Sequence, residues 1–234
     1  RKKSKFIIGD SVAMGVGVDT DSTFSGRLQD YYGDSLNIVN VSLLGNNTND
    51  YLNIANYFLI ENKFNMEQLL IVFCINDIYP DRSNVLMMSG KSFFGPIVEF
   101  LKAHSHFYLW LKGKLFDRSK TYFEYDSELY RNDTLVKNVA NNIFAIQHLC
   151  AIQNIKLNVV LLPYEYQLRY ADKKELLFPQ LKIKKFLAEK NIIVLDPAGY
   201  FTGKITSSKE AYLFADGIHF SETGHRLIAE FLLL

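Results

Sequence analysis

The chain has 234 residues, 48% of them hydrophobic, and its 26 lysines and arginines nearly balance 25 aspartates and glutamates. This length and apolar content suit one α/β domain, residues 1–234, with a sizeable core. The balanced charge provides no overall field for nucleic acid, which we exclude as a partner. Two cysteines provide neither a disulfide framework nor a zinc-binding spacing, so we expect Cys74 and Cys150 to be buried thiols and expect no metal or cofactor.

The N-terminal sequence, RKKSK, bears on where the protein works. No stretch approaches the roughly 18 to 20 apolar residues of a membrane span, and no signal peptide is visible. Because the sequence starts at Arg1 and not at Met, we expect that a preceding anchor or export segment was removed. The compartment stays open. An extracytoplasmic or membrane-anchored location, with membrane association through that missing segment, is our expectation.

Apolar runs alternate with segments of helical periodicity along the chain. The runs predict five strands, at 5–9, 36–41, 68–74, 156–163 and 191–196. Helical spacing predicts helices within 50–61, 133–154 and 172–190, and a last helix opens with a Ser-Glu capping pair in SETGHRLIAEFLLL. This alternation predicts a parallel sheet covered by helices on both faces, with chemistry at the carboxyl ends of the strands.

One segment, at about 79–132, interrupts this alternation and is rich in aromatic and basic residues. A helical stripe in it predicts an inserted, cap-like helical element; the stripe consists of Ile97, Leu101, His104, Tyr108 and Leu111. One interpretation is a lid or acceptor-binding surface that touches a bilayer. The other, which we favour, is a helical pair that packs its aromatic side chains on the sheet.

The first predicted strand runs directly into a serine, in the stretch FIIGDSVAMG. Small residues flank Ser11, and a serine at a tight strand-to-helix turn presents its hydroxyl to a substrate carbonyl. A serine nucleophile needs a base, and the base needs an orienting group. Near the C-terminus, Asp216 and His219 stand three residues apart in a short loop, a spacing at which the carboxylate reaches the imidazole.

The polar residues after the first three strands supply donors for a developing oxyanion. Gly45 offers a backbone N–H without an obstructing Cβ, Asn76 offers a side-chain amide, and Ser11 offers its own N–H at a helix start. Each well-placed donor of this kind is worth about 3 to 4 kcal/mol to a tetrahedral intermediate. All three follow strand ends, so we expect them at one edge of the sheet.

Four blocks occur in order along the chain: GDSV at 9–12, SLLGNNTNDY at 42–51, CINDIY at 74–79 and DGIHFSETGH at 216–225. In order and spacing they resemble the four sequence blocks of a known family, the SGNH or GDSL-type hydrolases. The resemblance implies a flavodoxin-like three-layer α/β/α sandwich with an esterase or acyl-transfer site. In that site Ser11 is the nucleophile, His219 the base and Asp216 its orienter, with Ser11, Gly45 and Asn76 as oxyanion donors.

The sequence departs from the family pattern at two positions. Cys74 stands where the third block usually begins with glycine, and Val12 replaces the leucine of the motif name. Neither change removes a catalytic atom, although Cys74 is placed to narrow the site or alter the turn that presents Asn76.

After the fourth strand, the chain places Tyr164, Glu165 and Arg169 at the same edge of the sheet. These residues suit either contact with a polar substrate or a plain connecting loop.

We therefore predict a serine esterase or acyl-transfer enzyme for a small, O-acetyl-type ester, with a small molecule or a glycan as its substrate. Hydrolysis and transfer share the acyl-enzyme and differ in whether water or an acceptor hydroxyl attacks it. An O-acyltransferase to a polysaccharide, a longer-chain lipase and a silent glycan-binding or partner-binding module are the alternatives. A nucleotide binder is disfavoured because residues 9–17 lack the lysine of a phosphate loop.

Overall fold

The computed structural model describes residues 2–62, 64–80, 105 and 116–234, and within them the chain forms a five-stranded parallel sheet. The strand order is β2-β1-β3-β4-β5. The strands span Ser4–Gly9 (β1), Asn37–Asn40 (β2), Met66–Phe73 (β3), Lys156–Leu161 (β4) and Val194–Leu195 (β5). The predicted α/β class and the five parallel strands are confirmed.

Nine α-helices connect and cover the strands in the described part of the chain. They are α1 Ser11–Met14, α2 Phe24–Tyr32, α3 Thr48–Asn56, α4 Arg118–Glu128, α5 Asp133–Ile152, α6 Glu165–Arg169, α7 Phe178–Ala188, α8 Ala198–Thr202 and α9 Glu222–Leu232. Helices α2 and α9 pack together on one face of the sheet, and α3, α5 and α7 form a continuous layer on the other. Both faces of the sheet are thus buried, which explains why its central strands are continuous apolar runs.

Helix α5 shows how the sequence produces this packing. Asn132 caps its start, because the side-chain oxygen accepts hydrogen bonds from the backbone of Thr134 at 3.0 Å and Leu135 at 3.3 Å. Six side chains at spacings of one, three or four residues form its buried face: Val136, Val139, Ala140, Ile143, Ile146 and Cys150. The predicted buried state of Cys150, and of Cys74 after β3, is confirmed.

The fifth strand is shorter than the predicted run at 191–196. Asn191 adopts a left-handed conformation with φ of 57°, and its backbone N–H donates to the carbonyl of Ala188 at 2.9 Å. The next N–H, of Ile192, donates to Leu187 at 3.0 Å. The first residues of the run therefore complete the turn that ends α7, and only Val194–Leu195 pairs with β4.

Most of the predicted insert at 79–132 lies outside the described residues, including the whole stripe from Ile97 to Leu111. Its last part forms α4 and a 3₁₀ turn at Leu129–Arg131. Within the described ranges no helix has the length and apolar character needed to cross a bilayer. The same ranges contain no group of three or more His, Cys, Asp and Glu side chains arranged to hold a metal ion.

Two glycines allow a matched test of the packing between α9 and the loop before it. A Cβ at Gly224 would lie 2.1 Å from the carbonyl oxygen of Ala211, whereas a Cβ at Gly199 in α8 meets nothing within 4 Å. We expect Gly224→Ala to lower the free energy of unfolding by about 1 to 3 kcal/mol, since backbone must move. Gly199→Ala should instead raise it by about 0.5 to 1 kcal/mol. Denaturant unfolding measures both free energies, and equal changes in the two variants would contradict the close packing of Gly224 on Ala211.

Candidate active site

A tight turn carries Ser11 to the carboxyl edge of the sheet. Gly9 ends β1, Asp10 caps α1 and Ser11 is the first residue of that helix. The Oδ1 atom of Asp10 accepts a hydrogen bond from the Val12 backbone at 2.9 Å. A Cβ at Gly9 would lie 2.8 Å from the Val72 carbonyl oxygen on β3, so the turn requires glycine there. The predicted strand–turn–helix setting of Ser11 is what the structure shows.

The loop before α9 holds Asp216 and His219 in contact. Asp216 Oδ1 accepts hydrogen bonds from the backbone N–H groups of Ile218 at 2.9 Å and His219 at 2.7 Å, and lies 3.0 Å from His219 Nδ1. Gly217 between them has φ of 84°, and a Cβ on it would lie 2.3 Å from that of Ser119. The loop is therefore fixed both by its own carboxylate and by close packing on α4.

The ends of the chain meet at Ser11 and His219, which are 208 residues apart. His219 Nε2 lies 2.9 Å from Ser11 Oγ. Since Nδ1 donates to the Asp216 carboxylate, the neutral ring has its lone pair on Nε2, where it accepts the serine proton. Asp10 Oδ2 also lies near Ser11 Oγ but at 3.4 Å, so the imidazole is the better-placed acceptor. The three residues form a hydrogen-bonded chain with the geometry of a nucleophile, a base and an orienting acid.

The charges around His219 favour its protonated form. Burial alone would lower its pKa, but the hydrogen bond and charge of Asp216, together with the charge of Asp10, outweigh burial and raise the pKa above the ordinary value of 6.5. For the carboxyl of Asp216 burial has the opposite effect and would raise the pKa. Its contacts with His219 nevertheless hold the Asp216 pKa below the ordinary value. The site thus stabilises the imidazolium form of His219, the form that a base in contact with Ser11 would take on accepting a proton.

This electrostatic arrangement predicts a pH dependence. Ester hydrolysis should rise with pH through a midpoint above 6.5, because only neutral His219 accepts a proton and its pKa is raised. Asp216→Asn removes the charge and should move the His219 pKa downward. NMR titration of the ring in both proteins measures the difference, and His225, whose pKa burial lowers to about 4, is the internal reference. A His219 pKa that is unchanged or higher in Asp216→Asn would contradict this account.

Asn76 is held beside Ser11 through Asp10. Its Nδ2 atom donates to Asp10 Oδ2 at 3.0 Å. This contact fixes the orientation of the amide, because the carbonyl oxygen would be repelled by the carboxylate. An amide nitrogen has two N–H groups, so the second remains for a substrate oxygen. Asn76 and Ser11 are therefore brought together as predicted, by a carboxylate that also caps α1.

Gly45 lies in the loop after β2, which is fastened to the end of β1. The carbonyl oxygen of Gly9 accepts hydrogen bonds from the side chain of Asn46 at 3.2 Å and the backbone of Leu43 at 3.3 Å. Gly45 itself has φ of 76°, and an added Cβ would meet nothing within 4 Å. The loop thus places Gly45 near the turn that carries Ser11, and the use of its N–H as a donor stays a prediction.

A buried network of long-range contacts supports the turn of Asn76. The carboxylate of Asp77 accepts hydrogen bonds from the Tyr51 hydroxyl and from the backbone of Cys74, both at 2.7 Å. The Tyr130 hydroxyl donates to the carbonyl of Ile75 at 2.9 Å. Burial raises the pKa of Asp77 well above its ordinary value, and the charge of Asp10 adds to this effect. The turn is therefore anchored on both sides of Asn76 by groups from α3 and from the region between α4 and α5.

A second buried carboxylate lies next to this network. Asp126 on α4 accepts hydrogen bonds from the Tyr79 hydroxyl at 2.8 Å and the Tyr164 hydroxyl at 2.6 Å. Burial raises the pKa of Asp126 to about 6, although both hydroxyls act to lower it. Tyr164, predicted as a substrate contact, has no exposed surface. Tyr164 instead lies in the core, where its hydroxyl joins the segment between β4 and α6 to Asp126 on α4.

The other two predicted substrate contacts, Glu165 and Arg169, form an ion cluster. The Arg169 guanidinium binds the carboxylates of both Glu165 and Asp117. Glu165 also accepts a hydrogen bond from the Ser208 hydroxyl, and its backbone N–H donates to the Gly217 carbonyl at 3.0 Å. The cluster therefore ties α4 and α6 to the loop of Asp216. Contact between Glu165 or Arg169 and a substrate stays a prediction.

Comparison with solved structures finds the same fold in several proteins described as lipolytic. A member of the lipolytic protein G-D-S-L family from Veillonella parvula is 14% identical over 99% of this chain and 96% of its own, with a TM-score of 0.57. The lipase/acylhydrolase from Enterococcus faecalis is 19% identical, with 99% and 93% covered and a TM-score of 0.58. The psychrotrophic esterase EstA from Pseudoalteromonas sp., in a structure inhibited by monoethylphosphonate, is 15% identical, with 98% and 94% covered and a TM-score of 0.56.

At these identities the likeness concerns the fold. The chain has the sheet and helix arrangement of the G-D-S-L lipolytic structures along nearly its whole length, as the four sequence blocks implied. No family model and no curated protein matches the sequence itself.

Proposed function

We propose that the protein is a serine hydrolase of small, O-acetyl-type carboxylic esters. The observation that carries the proposal is the hydrogen-bonded chain from Ser11 Oγ to His219 Nε2, at 2.9 Å, and from His219 Nδ1 to Asp216, at 3.0 Å. The names of the structural neighbours, which are lipases, esterases and acylhydrolases, support the same chemistry.

The first half of the reaction forms an acyl-enzyme. Ser11 Oγ attacks the ester carbonyl carbon while its proton passes to His219 Nε2. The carbonyl oxygen becomes an oxyanion that accepts hydrogen bonds from the N–H groups of Ser11 and Gly45 and from the amide of Asn76. The bond to the alcohol oxygen then breaks, and His219 gives that oxygen its proton. The alcohol leaves and the acyl group remains on Ser11.

The second half returns the enzyme to its starting state. A water molecule loses a proton to His219 and attacks the acyl carbon, and the same three donors bind the new oxyanion. The bond to Ser11 Oγ breaks, Oγ recovers the proton from His219 and the carboxylic acid leaves. If an acceptor hydroxyl replaces water, the product is a new ester, so hydrolysis and transfer differ only in the second nucleophile.

A small acyl group suits the confined position of the nucleophile. Ser11 is only 6% exposed, and its hydroxyl is in contact with His219. We expect p-nitrophenyl acetate to be turned over with a kcat/KM at least about tenfold above that of the octanoate, a difference of about 1.4 kcal/mol. A series of acyl chain lengths measures this. A maximum at eight or more carbons would contradict the small-acyl proposal, and the absence of turnover above buffer would contradict ester hydrolysis.

An analysis of the products separates hydrolysis from transfer. Mass spectrometry of reactions that contain the acetyl ester and a candidate sugar acceptor shows whether free acetate or acetylated sugar forms. We expect acetate as the main product. Acetylated sugar in excess would show that the acyltransferase alternative is the activity.

A further inference from the structure

A cavity of about 510 Å³ opens beside the loop of Asp216. Its walls are the first residues of α4, residues of α6, Lys209 and the loop at 212–217. Asp216 is one of the residues that line the cavity, and its carboxylate binds His219. In the proposed reaction His219 protonates the departing alcohol, so the alcohol portion lies on the histidine side of Ser11. The cavity is therefore next to the place that this portion must occupy.

The acids that line the cavity have partners, whereas two of its cations form no ion pair among the described residues. Its three acids are engaged: Asp216 by His219, and Asp117 and Glu165 by Arg169. Two of its cations, Arg118 and Lys209, form no ion pair among the described residues. Arg118 donates to the Tyr122 hydroxyl at 2.6 Å, which does not neutralise its charge. The charge of Arg118 acts to lower the pKa of His219, and the charge of Lys209 acts to lower the pKa of Asp117. Arg118 therefore lies near the candidate base, and Lys209 lies near an acid of the cavity wall.

Two phenylalanine rings flank these charges. Phe116 is 62% exposed and Phe214 is 67% exposed, although both line the cavity. Exposed aromatic rings beside a few polar groups are typical of small-molecule sites, where the rings cover the apolar faces of a ligand. The volume is within the range of pockets that hold a ligand of the size of a sugar. A ligand that fits has apolar ring faces and an anionic substituent.

We propose that this cavity binds the alcohol portion of the substrate and that this portion is a sugar-like ring with an anionic group, either a carboxylate or a phosphate. The anionic group lies between Arg118 and Lys209, and the ring lies against Phe116 and Phe214. This inference rests on the proposed ester hydrolysis, for which it supplies the substrate class. The cavity thereby selects the alcohol, whereas the surroundings of Ser11 select the acyl group.

Matched pairs of esters test the proposal. Methyl glucoside and methyl glucuronide, each with one acetyl group on the same hydroxyl, differ only in the carboxylate. Acetylglycerol and acetylglycerol phosphate form the second pair and distinguish a sugar acid from a phosphate. We expect an anionic member to have a kcat/KM about tenfold higher at low salt, a preference that falls as salt screens the charges. Equal values for both pairs would overturn the proposal.

Variants that remove charge test whether Arg118 and Lys209 cause the preference for anionic esters. Arg118→Gln with Lys209→Gln should remove most of the anionic preference, whereas Lys204→Gln, an exposed lysine outside the cavity, should keep it. A preference that survives the double variant would place the anion site elsewhere. Circular dichroism confirms that each variant is folded, and the two single variants replace the double variant if it is not.

A binding measurement keeps this inference separate from the proposed reaction. Calorimetry on Ser11→Ala with methyl glucuronide, methyl glucoside and glycerol phosphate needs no turnover. Tighter binding of an anionic ligand than of the glucoside, lost in the charge variants, supports the cavity even if no ester is hydrolysed. Equal binding of all three ligands contradicts the anion site even if ester hydrolysis is confirmed.

Discussion

Replacing Ser11 or His219 by alanine is expected to lower kcat for an acetyl ester by at least about 10⁴-fold, because each removes an essential part of the same proton transfer. The Ser11→Ala, His219→Ala double variant should be no slower than either single variant, since residues that act as one unit have non-additive effects. The 2.9 Å contact between the two side chains is the structural basis of this expectation.

Ser35→Ala provides the matched control, because Ser35 is exposed and lies on the loop before β2, outside the site. It should hydrolyse the ester at the wild-type rate. Steady-state kinetics on the wild type and the four variants, with circular dichroism to confirm folding, make the comparison. If the double variant loses the product of the two single losses, Ser11 and His219 act independently and the proposed chain is wrong.

Asn76→Ala is expected to lower kcat by about 10² to 10³-fold with little change in KM, because an oxyanion donor acts on charge that exists only in the transition state. The side chain is already held by Asp10 at 3.0 Å, so the donor is positioned before substrate binds. A loss that appears mainly in KM would contradict this role and would indicate ordinary substrate binding.

Two further variants separate the donor from the fold of its turn. Asn76→Asp has nearly the same shape but offers no N–H and adds a charge next to Asp10, so it should be at least as impaired as alanine. Asn62→Ala removes an exposed amide that donates to the Tyr57 carbonyl and should keep full activity. If Asn76→Asp were as active as wild type, the amide N–H would have no part in catalysis.

The sequence was sufficient to predict a five-stranded parallel sheet and the contact between Ser11 and His219. The five apolar runs have the length and composition of buried strands, and the carboxyl ends of parallel strands share one edge, so residues that follow them gather there. The Ser11 turn was predictable for a local reason, because small residues and a capping Asp10 follow the strand directly. His219 and Asp216 were predictable because their spacing of three lets one loop hold both.

The distant side chains that support the Asn76 turn were not predictable from the sequence. The contacts of Tyr51 with Asp77 and of Tyr130 with Ile75 span 26 and 55 residues. Such contacts leave no periodic signal, because they depend on how α3 and the turn between α4 and α5 pack beside the sheet. Tyr164 was misplaced for a related reason: a polar aromatic after a strand suits a binding loop in sequence, but its partner Asp126 is 38 residues away.

The start of the fifth strand is a third feature that the hydrophobic pattern of the sequence did not predict. A run of apolar residues at 191–196 has the composition of a strand, yet Asn191 takes the left-handed conformation that ends α7. Asparagine tolerates that conformation well, so its presence after a helix was the available signal. The boundary was decided by a helix end and not by the hydrophobic pattern.

The central claim is that the Ser11 hydroxyl is a nucleophile activated by His219, and covalent labelling with a fluorophosphonate tests it most directly. Peptide mapping by mass spectrometry should find one phosphonate on Ser11 in the folded wild type. In His219→Ala the labelling of Ser11 should be slower by orders of magnitude. Wild-type protein that stays unlabelled at Ser11, or labelling that is as fast without His219, would contradict the account.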